Sequence, residues 1–355
     1  MRVRPSLKGI KEYKPGKLVK GAIKLSSNEN PLGPSPKVIK EIANSLEEGK
    51  LVLSVYPWEK NEEELVSEIS SYVRASVENI VIGAGVDGVL DTLVKIFFDK
   101  GDEAIIPIPT FSLYEFLVKI AGGIPRYVKR AENFSIPVEE LPYTEMTRMI
   151  FICSPNNPSG NCISEDDMRA IIESTNSMVV IDEAYVEFAD VSLVKLVNEY
   201  ENVLVLRTFS KAFGLAGLRV GYGIIPEWLA SHYKKVSIPF SVNNIALKAA
   251  IVALRDKEHL SRSIELVRLE RPFLESNLQR LFSAFPSQAN FVLLDVAPMK
   301  SYEVCDTLMK NGITVRDCSS FRGADDSLVR ISVGTREQNE KVVEALKSIC
   351  IEYAR

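Results

Sequence analysis

Short apolar runs bounded by turn residues recur along the first two thirds of the chain. Consecutive apolar positions over so short a length are typical of strands that are buried on both faces of a sheet. Amphipathic stretches at 89–98 and 165–173 separate some of these runs and predict helices. The alternation indicates β-α-β units, a mostly parallel sheet with helices on both faces, and therefore an α/β fold. The predicted strands are 80–82, 104–108, 149–153, 178–181, 203–206 and 220–225.

The signals for a helix are clearest at residues 35–49. Ser35 is a favourable N-cap, Pro36 suits the first helical position, and Gly49 is a favourable stop. Apolar residues recur between them at helical spacing, so we predict an amphipathic helix with these side chains on one face. They are Val38, Ile39, Ile42, Ala43 and Leu46.

After Val242 the pattern changes to longer helical stretches, which predict a smaller α+β domain. We divide the chain into an N-terminal arm (1–30) that joins the small domain, a large domain (31–244) and a small domain (245–355). The elements predicted in the small domain are helices 244–254 and 260–282, strands 290–296 and 328–333, and a last helix 337–353.

Composition and charge exclude several classes of protein. The 355 residues carry 43 basic and 47 acidic side chains, a formal net charge of −4, without a basic cluster, so nucleic acid is not an expected partner. The five cysteines are scattered and only two histidines are present, so we expect reduced thiols and no metal. Neither a membrane-spanning run nor a signal peptide is recognisable, and we expect a cytoplasmic protein with no membrane partner.

A polar and cationic stretch follows the fifth predicted strand. It reads R-T-F-S-K-A-F-G-L-A-G-L-R-V-G-Y, with Thr208, Ser210 and Arg219 on either side of Lys211. Hydroxyls, backbone amides freed by glycine, and a guanidinium suit a bound phosphate. A lysine with cationic neighbours has a lowered pKa and can attack an aldehyde, so Lys211 is the candidate for Schiff-base chemistry.

This stretch resembles the cofactor-lysine motif of the fold-type I aminotransferases, which use pyridoxal 5′-phosphate (PLP). The segments S-P-N-N-P-S-G and D-E-A-Y resemble the same family in chain order. The resemblance implies that Lys211 carries PLP as a Schiff base and that Asn157 binds the oxygen of the ring hydroxyl. It also implies that Asp182 faces the pyridine nitrogen and that Tyr185 lies near the ring hydroxyl. A carboxylate there keeps the ring protonated, so that the ring can accept the electrons of a substrate carbanion.

A glycine loop at residues 83–88 reads G-A-G-V-D-G between a predicted strand and a predicted helix. It fits the dinucleotide fingerprint, which makes an NAD-dependent dehydrogenase the alternative from another class. That fingerprint needs an acidic residue at the end of the next strand, where this chain has none. The aminotransferase resemblance implies a phosphate cup instead, built from Gly85, Val86 and Asp87, and a stacking ring, Phe111. The loop departs from the family pattern at Val86, which has no hydroxyl, and at Gly88, where the family has an acidic residue.

Further segments resemble the histidinol-phosphate aminotransferase family: N-E-N-P-L-G-P near the start, P-T-F-S-L-Y, and L-V-R-I-S-V-G-T near the end. The resemblance implies a ping-pong exchange of histidinol phosphate and 2-oxoglutarate for imidazole-acetol phosphate and glutamate, in histidine biosynthesis. Arg316 and Tyr13 then meet the substrate phosphate, Arg330 binds a carboxylate, and Asn157 also contacts the substrate. Tyr56 reaches the cofactor phosphate of the neighbouring subunit, which implies a homodimer with shared sites.

Several alternatives share these motifs. Aromatic-amino-acid aminotransferases and threonine-phosphate decarboxylases resemble the chain at the same lysine, aspartate and asparagine. A transcription regulator that carries an aminotransferase-like domain is a third class. It would need a DNA-binding module ahead of the N-E-N-P segment, which begins at Asn28, and we expect none.

Overall fold

A computed structural model describes Val3, Leu7 and residues 19–353. Tyr13, one of the predicted phosphate-binding residues, lies outside this described part. The helices are α1 (Pro36–Glu47), α2 (Glu59–Val73), α3 (Gly85–Phe97), α4 (Leu113–Ala121), α5 (Glu165–Glu173), α6 (Glu227–Val236), α7 (Asn244–Arg255), α8 (Lys257–Leu278), α9 (Ser301–Lys310) and α10 (Arg336–Tyr353). The strands are β1 (Ile23–Lys24), β2 (Ile80–Gly83), β3 (Glu103–Ile108), β4 (Ile124–Lys129), β5 (Thr147–Cys153), β6 (Met178–Asp182), β7 (Val203–Thr208), β8 (Gly221–Ile224), β9 (Ser283–Phe285), β10 (Phe291–Asp295), β11 (Ile313–Thr314), β12 (Arg316–Asp317) and β13 (Leu328–Ser332).

Seven strands form the central sheet, in the order β2-β8-β7-β6-β5-β3-β4. All neighbouring pairs are parallel except those of β8, which runs antiparallel to β2 and β7. The prediction of an α/β fold with a mostly parallel sheet is therefore confirmed. A parallel arrangement brings the carboxyl ends of β3, β5, β6 and β7 to one edge, and this edge carries the site.

Both faces of the central sheet are covered, as the unbroken apolar runs predicted. Alternate residues of β5 enter two separate cores, Ile150 and Ile152 on one face, Met149 and Phe151 on the other. Residues of α2, α5 and α7 contribute to the first core, and residues of α3, α4 and α6 to the second. None of the described helices has the combination of length and apolar sequence that a bilayer crossing requires.

A smaller antiparallel sheet has the order β12-β13-β10-β9. Its register places Arg316 directly opposite Arg330, so both side chains lie on the same face. The short strand β1 pairs in parallel with β11, which ties the first described strand to the C-terminal third. The division of the chain at residues 30 and 244 stays a prediction.

The cap of the first helix is confirmed, but most of the predicted apolar face lies on the surface. The Ser35 hydroxyl accepts a hydrogen bond from the Lys37 backbone N–H, and the helix ends at Glu47. Val38 is buried, whereas Ile39 is 57% exposed and the small polar Ser45 is buried in place of its apolar neighbours. The helix therefore buries a narrow stripe and leaves apolar side chains on the surface.

The structure differs from the sequence prediction at one helix boundary and at one strand. The helix predicted to continue to residue 282 ends at Leu278, and residues 283–285 form the edge strand β9, because their backbone pairs with β10. The strand β4 was not predicted. It is an edge strand that contains Pro125 and alternates buried and exposed positions, so it lacks the continuous apolar run of the inner strands.

A buried charged cluster lies beside the loop that follows β6. Arg207 on β7 donates two hydrogen bonds to Oε2 of Glu183, at 2.9 Å from Nε and 2.8 Å from Nη2. Glu187 is buried in the same region. Burial, partly offset by the charge of Arg207, raises the pKa of the Glu187 carboxyl to about 7. Its ionised form is therefore unfavourable in the folded protein.

We expect Glu187→Gln to reduce the pH dependence of stability. The pKa of this carboxyl is higher in the folded than in the unfolded chain. The contribution of the protonated carboxyl to the free energy of unfolding is therefore complete below about pH 4.5 and is lost as the pH rises through about 7. Denaturant unfolding near pH 5 and pH 8 should show the wild type losing on the order of 1–3 kcal/mol more than the variant. The exposed Glu47→Gln should behave as the wild type. An unchanged pH dependence in Glu187→Gln would contradict this account.

Candidate active site

A cavity of about 280 Å³ opens at the carboxyl edge of the central sheet, against the smaller sheet. Most of the predicted site residues line it, although they come from distant parts of the sequence. Those present are Val86, Asp87, Phe111, Asn157, Asp182, Tyr185, Thr208, Ser210, Lys211, Arg219, Arg316 and Arg330. The described residues include no cluster of three or more His, Cys, Asp or Glu side chains arranged to hold a metal ion.

Lys211 follows β7 and directs its amine into this cavity. Its Nζ donates to the backbone oxygen of Ser27 at 3.0 Å and lies 5.6 Å from the centre of the Tyr185 ring. Burial, followed by the positive charge of Arg330, lowers the pKa of the amine to about 8. Burial, and not the cationic neighbours expected from the sequence, is the larger cause of this lowered pKa. A sizeable fraction of the amine is neutral near neutral pH and can act as a nucleophile or a base.

Asp182 ends β6 and is 3% exposed. Its Oδ2 accepts a hydrogen bond from the Tyr114 hydroxyl, and its Oδ1 accepts one from the Ala184 backbone N–H at 3.0 Å. Burial raises the pKa of the carboxyl to about 6, against the opposing effect of these two donors. A protonated ring nitrogen placed here would supply the partner that a buried carboxylate needs.

Asn157 and Arg330 are held together on the cavity wall. Arg330, which is 5% exposed, donates from Nη1 to Oδ1 of Asn157 and from Nη2 to the backbone oxygen of Ser26 at 2.9 Å. Since the amide oxygen of Asn157 already accepts from Arg330, its NH₂ group is the part that can donate to a ligand oxygen. The neighbouring hydroxyl of Tyr185 accepts from Nδ2 of Asn28 at 3.1 Å, which fixes its position.

The N-terminus of α3 forms a cup suited to an anion. The first backbone N–H groups of a helix have no intrahelical acceptor, and Val86 and Asp87 occupy that turn. Arg219 closes the cup, with Nη2 2.9 Å from Oδ2 of Asp87 and Nη1 3.3 Å from Oγ of Ser210. Only a glycine allows β8 to pass so close, because a Cβ on Gly221 would lie 2.5 Å from the Val86 nitrogen.

The chemistry of the cavity fits PLP. The cup offers a guanidinium, a hydroxyl and helix amides to a phosphate, Asp182 offers a carboxylate to a pyridine nitrogen, and Lys211 offers an amine to an aldehyde. These three groups stand around one cavity. The same arrangement leaves Arg316 and Arg330 on the side of the smaller sheet, where they can meet the anionic groups of a substrate.

Tyr56 does not line the cavity of the single chain. Its side chain is 73% exposed, and its ring stacks on Phe240 with the ring centres 4.8 Å apart. Gly85 opens α3 and contributes backbone only.

Three residues of the site were not predicted from the sequence. Asn28, which supports Tyr185, and Phe321, beside Arg316, line the cavity, whereas Tyr114 lies behind Asp182 and supports it from outside the lining. Asn28 and Tyr114 lie within motifs that were recognised, N-E-N-P and P-T-F-S-L-Y, which was the available signal. The contacts themselves join residues far apart in sequence, and no spacing rule reveals them.

Known proteins are similar to this chain in sequence and in fold. The model of the family described as aminotransferase class I and II matches residues 20–346. A histidinol-phosphate aminotransferase of Methanosarcina mazei is 49% identical over 359 residues, which cover 97% of this chain and 96% of the relative. The solved structure of the histidinol-phosphate aminotransferase from Clostridium acetobutylicum matches with a TM-score of 0.84 at 27% identity, covering 93% of this chain and 99% of that one.

A second solved structure adds evidence for the fold alone. It is the histidinol-phosphate aminotransferase from Sinorhizobium meliloti in complex with PLP, with a TM-score of 0.86 at 24% identity, covering 99% of this chain and 98% of that one. The predicted fold, that of the fold-type I PLP-dependent transferases, is confirmed by these likenesses.

Tyr114→Phe is expected to raise the pKa of Asp182 above its present value of about 6, by roughly one unit, because a hydrogen bond donated to a carboxylate favours its charged form. A ¹³C NMR titration of labelled carboxyl carbons in the cofactor-free protein would measure this, with Asp182→Asn identifying the signal. Tyr233→Phe removes another tyrosine hydrogen bond, to the backbone oxygen of Ile82, and should leave the titration unchanged. A midpoint that stays the same or falls in Tyr114→Phe would refute the expectation.

Proposed function

The chain belongs to the family of class I and II aminotransferases, and on that premise we propose that it transfers the amino group of histidinol phosphate to 2-oxoglutarate. The products are imidazole-acetol phosphate and glutamate, and the reaction serves histidine biosynthesis. The observation that carries the proposal is the meeting of Lys211, Asp182 and two opposed arginines in one cavity. The relative that is 49% identical supports the choice of substrate.

The cofactor is PLP, and different residues of the cavity bind its different chemical groups. Bound PLP supplies an aldehyde carbon for the substrate amine and a ring that accepts electrons. We assign the phosphate to the cup of Gly85, Val86, Asp87, Ser210 and Arg219, with Thr208 beside it. Asp182 holds the ring nitrogen, Asn157 and Tyr185 hold the ring hydroxyl, and Phe111 covers one face of the ring.

Two arginines bind the substrate anions. Arg330 is buried and fixed by Asn157 and Ser26, so its guanidinium presents a rigid fork to a carboxylate. Arg316 is only partly buried and lies directly opposite Arg330 in the pairing of β12 with β13. We assign to it the substrate phosphate, which is larger than a carboxylate. Two substrates that differ in anion can therefore use one site in turn, as a ping-pong reaction requires.

Lys211 moves the proton during the transfer. With PLP present, the Lys211 amine would be free once the substrate amine is bound to the cofactor, and Nζ would be the base that takes the proton from the substrate Cα. Because its pKa is lowered to about 8, the amine can both accept this proton and release it near neutral pH. The contact of Nζ with the Ser27 oxygen keeps the amine in the cavity.

The rival activities are not favoured. An aromatic-amino-acid aminotransferase or a threonine-phosphate decarboxylase would use the same lysine and aspartate, but the relative with the highest identity quoted above carries neither name. In the cavity, the glycine loop borders Lys211 and Asp182, which a dehydrogenase would not need. We place the enzyme in the cytoplasm, where its free cysteines stay reduced.

A half-reaction tests this function. Histidinol phosphate added to the PLP-loaded protein without keto acid should abolish the visible absorbance of the bound cofactor, because the amino group is transferred and not returned. Phenylalanine and threonine phosphate at equal concentration should leave it unchanged. Lys211→Ala should bind PLP but lose at least about 10²-fold in turnover. A loss of absorbance with phenylalanine alone would retain the cofactor chemistry and refute the substrate.

We propose further that the enzyme is a homodimer. Several large apolar side chains are exposed at residues 53–58, and the exposed Phe240 stacks on Tyr56; exposed apolar side chains brought together in this way are typical of a protein interface. A two-fold dimer through this surface would carry each Tyr56 toward the neighbouring cofactor phosphate. Its exposed members are Leu53, Val55, Tyr56, Trp58 and Phe240.

Mixed dimers test whether Tyr56 acts across the interface. Tyr56→Phe removes one hydrogen bond to phosphate, and we expect it to weaken PLP binding about tenfold. When it is co-expressed with Lys211→Ala, the mixed dimer should regain one site of wild-type PLP affinity, because the intact Lys211 and the intact Tyr56 then meet. Sedimentation should show a dimer. A monomer, or a mixed dimer with only the weak affinity, would contradict the shared site.

A further inference from the structure

The loop between β12 and β13 spans from the smaller sheet to the central sheet. We call residues 319–323 the clamp segment. From this segment, Arg322 forms two hydrogen bonds with Glu115 on α4, from Nε to Oε2 at 2.7 Å and from Nη2 to Oε1 at 2.9 Å. The guanidinium also lies 4.5 Å from the centre of the Tyr127 ring on β4. A single side chain therefore fastens the segment to a helix and a strand of the other sheet.

The backbone of the clamp segment also lies close to the central sheet. Gly323 has a φ of +78°, and a Cβ added to it would lie 2.9 Å from Cδ1 of Ile108, the last residue of β3. The segment therefore leaves no room for a side chain at this point. Its position depends on β3 and α4, the same two elements whose connection carries Phe111.

The clamp segment in turn holds one of the two substrate arginines. Phe321 is 6% exposed and lines the cavity, and the guanidinium carbon of Arg316 lies 5.3 Å from the centre of its ring. Nη2 of Arg316 donates to Oγ of Ser320 at 3.2 Å. Arg316 is therefore supported by two consecutive residues of the segment that Arg322 anchors.

Arg330 is supported differently. The hydrogen bonds described for it go to Asn157 and to the backbone oxygen of Ser26, and both residues lie outside the clamp segment. The two arginines lie opposite each other, and the contacts with the clamp segment described above are those of Arg316. Loss of the Arg322–Glu115 ion pair should therefore weaken binding of the anion held by Arg316 more than binding of the anion held by Arg330.

We propose that Arg322 is a positioning residue and Phe321 a specificity-determining residue, and that together they place Arg316 to select the phosphate-bearing substrate. This inference rests on the proposed function, because it takes Arg316 as the phosphate ligand. The ion pair lies outside the cavity, so its effect on the reaction is indirect. Glu115 is the less exposed partner, at 19% against 48% for Arg322. Burial raises the pKa of Glu115, but hydrogen bonds from Arg322 and Lys119 outweigh it and lower the pKa to about 2, so the carboxylate stays charged.

Steady-state kinetics of Arg322→Met test the proposal. The variant removes both hydrogen bonds and keeps an apolar chain of similar length. Without these hydrogen bonds Arg316 is displaced from the position in which it binds the substrate phosphate. Because small displacements of a binding group have large effects, we expect the KM for histidinol phosphate to rise about tenfold. The affinity for PLP should stay within about twofold, and the KM for 2-oxoglutarate, one carboxylate of which Arg330 binds, should rise less than the KM for histidinol phosphate. Arg322→Lys should recover part of the loss, since a lysine can still pair with Glu115 but cannot form both hydrogen bonds in the fixed geometry of a guanidinium.

Arg126→Met is the matched control. Arg126 on β4 pairs with Glu103 on β3, away from the cavity, and its side chain is 48% exposed, as that of Arg322 is. This variant should leave both KM values unchanged. An Arg322→Met enzyme with an unchanged KM for histidinol phosphate, or with both KM values raised equally, would overturn the proposal.

Two further variants keep the test decisive if Arg322→Met folds poorly. Ser320→Ala and Phe321→Leu each remove one support of Arg316 and leave the ion pair in place, and both should raise the KM for histidinol phosphate more than the KM for 2-oxoglutarate. Unchanged values in both would refute the inference. A wild-type enzyme that fails the half-reaction with histidinol phosphate would refute the proposed function itself, so the two failures are distinguishable.

Discussion

The burial of one carboxylate constrains the arrangement of the whole site. Asp182 stands at the end of a strand that is buried on both faces, where water cannot solvate its charge. Two protein donors, from Tyr114 and Ala184, offset only part of this cost, and the pKa of Asp182 stays raised. In the function proposed above, a protonated pyridine ring bound beside Asp182 would supply further stabilisation. Lys211, the helix cup and Phe111 border the same cavity, around the place where that ring would lie.

The central sheet and the smaller sheet contribute different parts of the chemistry. In the proposed function, the central sheet carries the groups that hold the cofactor, since its parallel strands end at one edge. The smaller sheet carries Arg316 and Arg330, placed side by side by the antiparallel register of β12 and β13. Binding of the cofactor and selection of the substrate would then belong to separate structural units. The clamp segment joins them, because its Arg322 reaches across to α4.

Much of this could be predicted from local sequence, and the failures have physical reasons. Continuous apolar runs identified the inner strands, and motif spacing identified Lys211, Asp182 and Asn157, because these signals depend on near neighbours in the chain. The edge strand β4 was missed because one of its faces is solvated. The sequence placed apolar side chains along one face of α1, but packing buries only part of that face, and the exposed Ile39 and Leu46 are side chains that an interface would use. Tyr114 and the clamp segment act through contacts between distant residues, which a single sequence does not encode locally.

The pairing of β1 with β11 has a consequence for synthesis of the protein. Ser27, which holds the amine of Lys211, follows β1 by only a few residues, yet β1 finds its partner strand at Ile313–Thr314. Such a contact has a very large sequence separation, and it cannot form until most of the chain has left the ribosome. The strands of the central sheet, which end at Ile224, are therefore all synthesised before the partner strand of β1, and the segment that places Ser27 beside the lysine amine is secured late.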